Sequence, residues 1–320
     1  MYIEDKSLSF KSNTGQGIIQ PLLYMPQNSE HDQDKKPKAI VLIIHGMAEH
    51  QLRYREFAEY LNSKGFAVCT FDLPGHGRTS PDEEQLGFFS ETDGTELIDR
   101  DVDLLMRLLV KKFPGVPPVI FGHSMGSMIA RLFCAQTDLR LAGAVYSGTP
   151  APNGLAGFAS FLASRSIKKN GPLYRDNRLD KLMNGNFQTR LIEPLTPFDW
   201  ISGDKEQVDK YIEDPLCGFV FTAAGFRDLF KWIQLISNRK WAASIPVDLP
   251  ILLFSGDQDP VGAFGIGVKK VDKWLRQTGH KTRLKLYEGG RHEMLNETNK
   301  HEVWQDVSNW LSDLTSNMLE

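Results

Sequence analysis

Ser124 lies in the segment Gly122-His123-Ser124-Met125-Gly126. The residues before it, Pro118 to Phe121, read as a short buried strand. Those after it, Ser127 to Gln136, carry Met128, Ile129, Leu132 and Phe133 at helical spacing. A serine on so tight a strand-to-helix turn is held in a strained backbone conformation, with its hydroxyl exposed at the end of the strand. Gly122 and Gly126 let the strand and the helix approach closely. The chemistry this spacing predicts is nucleophilic acyl transfer. A serine hydroxyl is a poor nucleophile at neutral pH, so it needs a base within hydrogen-bond reach, and that base needs an orienting acid.

Both partners are expected late in the chain. Ile251 to Phe254 reads as a strand that runs into Ser255-Gly256-Asp257-Gln258-Asp259-Pro260-Val261. Either aspartate can serve as the acid, and the spacing favours Asp259. Leu284 to Tyr287 reads as the last strand, followed by Glu288-Gly289-Gly290-Arg291-His292-Glu293. Of the eight histidines, His280, His292 and His301 follow the aspartates, and only His292 lies just past a strand end. His280 and His301 read as surface residues. An oxyanion would rest on two backbone amides. One is that of Met125, at the start of the helix. The other is that of Met47, in the loop His45-Gly46-Met47-Ala48-Glu49-His50, where Gly46 permits a sharp turn and His45 holds the loop by a hydrogen bond. Asp72 to Ser80 reads as a structural turn at the rim.

The elements that must position these groups alternate between apolar strands and amphipathic helices, which predicts a mostly parallel sheet covered on both faces. Strands are expected at Ile18 to Tyr24, Ala39 to Ile44, Phe66 to Phe71 and Leu141 to Tyr146, and helices at Tyr54 to Lys64 and Glu96 to Lys112. Asn28 to Lys38 reads as a polar loop. From 151 to 245 no buried strand is evident. Helices are expected there at Leu155 to Leu162, Lys205 to Ile212, Gly218 to Ala224 and Phe226 to Ser237, and the segment is rich in aromatic residues. It reads as a helical cap inserted between two parts of one core, 1–150 and 246–320. Phe158, Phe161, Phe219, Phe221 and Trp232 are the expected channel lining. After the cap, helices are expected at Val268 to Arg276 and Glu302 to Met318.

The bulk numbers are those of a globular chain: 320 residues, 41% hydrophobic, 24% charged, formal net charge −3. Basic residues are scattered, which disfavours a nucleic-acid partner. Three widely spaced cysteines, Cys69, Cys134 and Cys217, read as free thiols of a reducing compartment. The polar N-terminus lacks a signal-peptide core, and no apolar run is long enough to span a bilayer, so the expected location is cytoplasmic. No H-x-H-x-D-H or H-E-x-x-H metal pattern, no dinucleotide fingerprint and no Walker loop is present, so neither a metal nor a cofactor is expected.

Taken together, HGMAEH with Arg53-Tyr54, DLPGHGRTS, GHSMG, GDQDPVG and GGRHE resemble the serine-dependent α/β-hydrolases of the monoacylglycerol lipase and lysophospholipase group, over residues 40 to 293. The resemblance implies an α/β-hydrolase fold with a mobile helical cap over an acyl channel. It implies Ser124 as nucleophile, Asp259 as acid, His292 as base, and the Met47 and Met125 amides as oxyanion hole. The triad implies acyl transfer through an acyl-enzyme, and the aromatic-rich cap points to a small-molecule, single-chain lipid ester as substrate, such as a monoacylglycerol or lysophospholipid, with transient membrane contact through the cap as a further expectation. Oligomeric state stays open. Two other readings remain. One is an aminopeptidase or proline iminopeptidase-like hydrolase that holds a substrate amine on cap acids such as Glu193, Asp199, Asp204, Glu206, Glu213 and Asp214. The other is a non-catalytic binder of a small apolar ligand. The assignment of the acid is tested directly. Asp259→Asn should lower kcat by about 10⁴ while Asp257→Asn leaves it nearly unchanged, as steady-state kinetics on p-nitrophenyl esters will read.

Overall fold

The computed structural model describes residues 2–26, 36–185, 187–191 and 193–316. Most of the expected loop at 28–38, and the last residues of the expected final helix, lie outside the described residues.

Eight strands form one sheet, in the order β1 (Tyr2–Glu4), β4 (Leu22–Tyr24), β6 (Ala67–Phe71), β5 (Ile40–Ile44), β7 (Pro118–His123), β8 (Gly143–Ser147), β9 (Ile251–Gly256) and β10 (Thr282–Tyr287). From β6 to β10 all neighbours are parallel, while β4 and β1 run antiparallel at one edge. The central strand β5 is Ile-Val-Leu-Ile-Ile, with every residue buried, because helices cover both faces of a parallel sheet. Val41 and Ile43 face one apolar layer, with α1 (Arg55–Ser63) and α10 (Lys300–Ser316). Ile40, Leu42 and Ile44 face the other, with α2 (Gly94–Lys112), α3 (Met125–Gln136) and α9 (Ile266–Gln277).

The expected strand over Ile18 to Tyr24 is two strands. β3 (Ile18–Ile19) pairs with β2 (Phe10–Lys11) in a separate ribbon, and β4 joins the main sheet. Pro21 lies between them, and having no N–H to donate it interrupts the ladder.

Between β8 and β9 the chain forms α4 (Ala156–Asn170), α5 (Asn177–Asn184), α6 (Lys205–Glu213), α7 (Ala223–Ile236) and α8 (Lys240–Ser244), with no strand among the described residues. The α5 helix has no counterpart in the sequence reading. It is capped by Asp176, whose side chain accepts from the Arg178 N–H. The helix expected over Gly218 to Ala224 does not form. Gly218 takes a left-handed φ of +69°, and Thr222 is the N-cap of α7, accepting from the Gly225 N–H, so the helix cannot begin before Ala223. No helix among the described residues is long and apolar enough to cross a membrane.

Because β5 to β10 are parallel, the loops after β5, β7, β8, β9 and β10 emerge at one edge of the sheet, where open α/β sheets place their sites. Packing there is backbone against backbone. A side chain at Gly126 would run into the Ile44 carbonyl oxygen, and one at Gly122 into the Gly126 carbonyl oxygen. Gly126→Ala should therefore cost about 1–3 kcal/mol or more in stability, as overpacking does, read as a lower melting temperature by circular dichroism.

Candidate active site

Ser124 sits between the end of β7 and the first residue of α3, with φ +51° and ψ −116°, a conformation L-residues rarely adopt. Its N–H donates to Ser147 O at 2.9 Å, and its carbonyl accepts from the Ser127 N–H at 2.9 Å and the Ser127 hydroxyl at 2.6 Å. The side chain is half-buried at the floor of a cleft of about 420 Å³. Met125 opens α3, so its N–H has no carbonyl partner within the helix and lies at the positive end of the helix dipole.

The loop after β5 brings Met47 to the same cleft. Its left-handed residue is Ala48, at φ +52°, rather than Gly46. Gly46 is needed for room instead, since a Cβ there would lie 2.7 Å from Glu49 Oε1 and 3.2 Å from the Ser124 Cβ. His45 Nδ1 bonds Gly46 O at 2.8 Å, and its Nε2 accepts from the Leu73 N–H at 3.0 Å. The Asp72 to Ser80 turn is buried scaffolding for this loop. His76 Nε2 accepts from the Ala48 N–H at 3.2 Å, and the Asp72 carboxylate accepts from the Gln51 N–H at 2.8 Å. Burial pushes the His76 ring well below the usual imidazole range, so it is neutral and free to accept.

His292, on the loop after β10, bonds Asp259 Oδ1 through Nδ1 at 3.0 Å. The remaining lone pairs of Asp259 are satisfied by the Ser255 hydroxyl at 2.7 Å and the Val261 N–H at 2.8 Å, and the carboxylate is fully buried. Burial opposes charge on both groups, but each favours the charged form of the other. Asp259 is held below the ordinary carboxylate range and His292 above the ordinary imidazole range. The His292 ring lies between His123, at 4.8 Å, and Trp200, at 5.2 Å. Ser124 and His292 line one cleft, and no hydrogen bond joins Ser124 Oγ to the ring in this structure. Catalytic hydrogen bonds of unliganded enzymes are often this loose and tighten with substrate. Asp257 is partly exposed and accepts from the Gly289 N–H at 2.9 Å, as a turn residue does. His280 is buried rather than superficial, its Nε2 3.2 Å from Ile245 O, while His301 is exposed on α10.

A buried charge cluster missed in the sequence ties these loops together. Arg53 bridges Glu49 of the Met47 loop, at 3.0 Å, and both oxygens of Glu293, the residue after His292. Glu49 in turn accepts from the Gly46 N–H and, at 2.8 Å, from the Tyr54 hydroxyl. Burial alone would raise Glu49, and the Arg53 charge beside it pulls it down to about 2. The signal was available in the pattern Glu49–Arg53, an i, i+4 pair, although nothing local points to Glu293. One grouping among the described residues brings possible metal-ligating atoms within 4.8 Å, His50, Asp214 and Cys217. His50 and Asp214 already satisfy one another at 2.8 Å.

Of the five aromatics expected to line the cleft, Phe219 does so. Phe221 and Trp232 are fully buried instead, packed on Phe89 at 5.3 and 5.4 Å, where they seat α7 on the core. Phe158 lines a second cavity of about 580 Å³ beside the first, and Phe161 stands exposed on α4, stacked on Phe158. The cleft walls are Met183, Phe187, Phe198, Trp200, Val220 and Leu229. Aromatic density marked this segment, but only the packing of its helices decides which side chains turn inward.

A family described as serine aminopeptidase, S33, matches residues 35–299. A monoglyceride lipase homolog of monkeypox virus is 28% identical over 280 residues, 86% of this chain and 90% of the relative. A human monoglyceride lipase is 28% identical over 288 residues, 88% of this chain and 84% of the relative. The crystal structure of a thermostable carboxyl esterase from Bacillus coagulans, in complex with glycerol, superposes with a TM-score of 0.89 at 31% identity, covering 98% of this chain and 99% of that one.

The raised His292 pKa sets a direction for the pH dependence. A base must be neutral to accept a proton, so kcat/KM should rise with pH through an inflection above the ordinary imidazole value of about 6.5. Asp259→Asn removes the charge that raises it and should move that inflection down, measured as a pH–rate profile.

Proposed function

The chain belongs to the serine aminopeptidase S33 family, and from that premise we propose that it is a serine carboxylester hydrolase that cleaves single-chain lipid esters through an acyl-enzyme on Ser124. The observation that supports this most is the buried Asp259–His292 pair facing the same apolar cleft as a serine strained onto a tight turn. In this mechanism His292 Nε2 takes the Ser124 proton as Oγ attacks the ester carbonyl, and the oxyanion rests on the Met47 and Met125 amides. The imidazolium then protonates the leaving alcohol. Water enters, gives its proton to His292 and attacks the acyl-enzyme, and His292 returns that proton to Ser124. Asp259 stays ionised throughout and holds the ring.

The walls argue for an acyl chain. Each methylene buried among Met183, Phe187, Phe198 and Leu229 contributes about 0.8 kcal/mol. They argue against a substrate amine. Among the cap acids weighed for that role, Asp204 caps α6, Glu206 pairs with Lys210 at 2.7 Å and Asp214 with His50, and none of the six lines the cleft. Glu49 and Glu293 do line it, with their oxygens taken by Arg53, Tyr54, Asn296 and the Gly46 N–H, although the single Arg53 charge balances only one of the two carboxylates. Asp180 stands in the wall beside Lys181, already accepting from Asn184 at 2.8 Å.

Transient membrane contact fits the exposed apolar rim of the second cavity. Leu155 is 74%, Phe158 62% and Leu182 54% exposed, and Phe161 stands beside them. Free thiols at Cys69, Cys134 and Cys217 fit a cytoplasmic location.

Ser124→Ala should lower kcat by about 10⁶. A panel of monoacylglycerols, lysophospholipids and aminoacyl-p-nitroanilides decides the substrate class, and turnover of the anilides above the lipid esters would overturn this reading. Phe158→Asp with Phe161→Asp should reduce cosedimentation with phosphatidylcholine vesicles while leaving hydrolysis of a soluble p-nitrophenyl ester intact.

A further inference from the structure

We propose that Arg131 is a positioning residue for the nucleophile, acting through Thr149 and Ser127 on the Ser124 carbonyl; this rests on the reading of Ser124 given above.

Arg131 lies on α3, two turns beyond Ser124, and is fully buried. No carboxylate pairs with it among the described residues. Its Nη2 donates to Ile236 O at 3.1 Å, at the end of α7, and its Nη1 to Thr149 Oγ1 at 3.2 Å. The guanidinium lies 4.0 Å from the centre of the Trp241 ring, and its Nε has no partner. Thr149 Oγ1 is 2.9 Å from Ser127 Oγ, which is 2.6 Å from Ser124 O. The Ser127 hydroxyl is shared between Ser124 O and Thr149 Oγ1, both of which accept from it, and Thr149 Oγ1 also accepts from Arg131. Arg131 thus fixes Thr149, and Thr149 fixes the hydroxyl that bears on the elbow carbonyl.

A purely structural role explains this poorly. Burying a charge without a counter-ion costs several kcal/mol, and an apolar side chain of similar volume is commonly more stable at such a site. Burial pushes the guanidinium down to about 9, which still leaves it charged at neutral pH. The charge does two things where it stands. It fixes the carbonyl that, with the strained φ of Ser124, sets where Oγ points. It also adds positive potential along the helix whose N-terminus meets the oxyanion.

The test uses the full chain with Arg131→Leu, Thr149→Val, Ser127→Ala and the double variant Arg131→Leu/Thr149→Val. The readouts are kcat and KM on a short p-nitrophenyl ester, the rate of fluorophosphonate labelling at Ser124, and the melting temperature. The expected result is a fall of about 10- to 100-fold in kcat and labelling rate with KM unchanged. Arg131→Leu should melt no lower than wild type, the double variant should be no slower than the slower single one, and Arg131→Lys should recover part of the rate. Retention of kcat within about twofold in a folded Arg131→Leu, or losses that multiply in the double variant, overturns the proposal. Should Arg131→Leu fail to fold, normal rates in both Thr149→Val and Ser127→Ala overturn it equally. Labelling of wild type that Ser124→Ala abolishes, with no effect of the relay variants, sinks this inference alone. A wild type that takes no label sinks both.

Discussion

The contact on which the site depends is the one between backbones at the end of β7. For Ser124 to turn from strand to helix in a single residue, Gly126 must press against the Ile44 and His45 carbonyls, and Gly46 must lie against Ser124 itself. Close-packed interiors do not yield by even one methyl group at such a point. Two segments far apart in sequence, the loop after β5 and the elbow with the first turn of α3, are thereby locked into one rigid unit. That rigidity leaves the Met47 and Met125 amides fixed in advance, which is the condition that the oxyanion role proposed for them requires.

Charge buried around this unit is compensated in three different ways. Asp259 and His292 compensate each other, with the rest of the carboxylate satisfied by Ser255 and Val261. Arg53 lies between Glu49 and Glu293 and so joins the loop after β5 to the loop after β10. Arg131 has only hydroxyl, carbonyl and aromatic partners. The first two arrangements are what burying ions in low dielectric requires. The third departs from it, in a residue connected by hydroxyls to the elbow.

The helical segment between β8 and β9 owes its apolar cleft to the way it is seated. His76, Phe89, Phe221 and Trp232 form a continuous aromatic layer between the core and α7. Gly87 and Gly225 permit the approach, since a side chain at Gly225 would strike the Gly87 carbonyl oxygen. With Phe221 and Trp232 taken up in this seat, the cleft above Ser124 is walled by other residues, among them Met183, Phe187, Phe198, Trp200 and Leu229. Flexible methionines and partly buried rings suit an acyl chain of variable shape.

Residue type and local spacing marked the elbow and the parallel sheet, and singled out Asp259 and His292 as polar residues just past the ends of late strands. Each of these is written in a few consecutive residues, because a strand, a tight turn or a helix is decided by neighbours one to four positions away. The preference for Asp259 over Asp257 lay in the same short turn. Which aromatics face the cleft was not so written. Phe219 and Phe221 are two residues apart, one in the wall and one in the seat, and only the docking of α7 separates them. The burial of His280, the ion pair of Arg53 with Glu293 across 240 positions, and the contact of Arg131 with Thr149 were likewise settled by tertiary structure. Desolvation and pairing act between groups that meet only when the chain has closed, so no window of sequence contains both members.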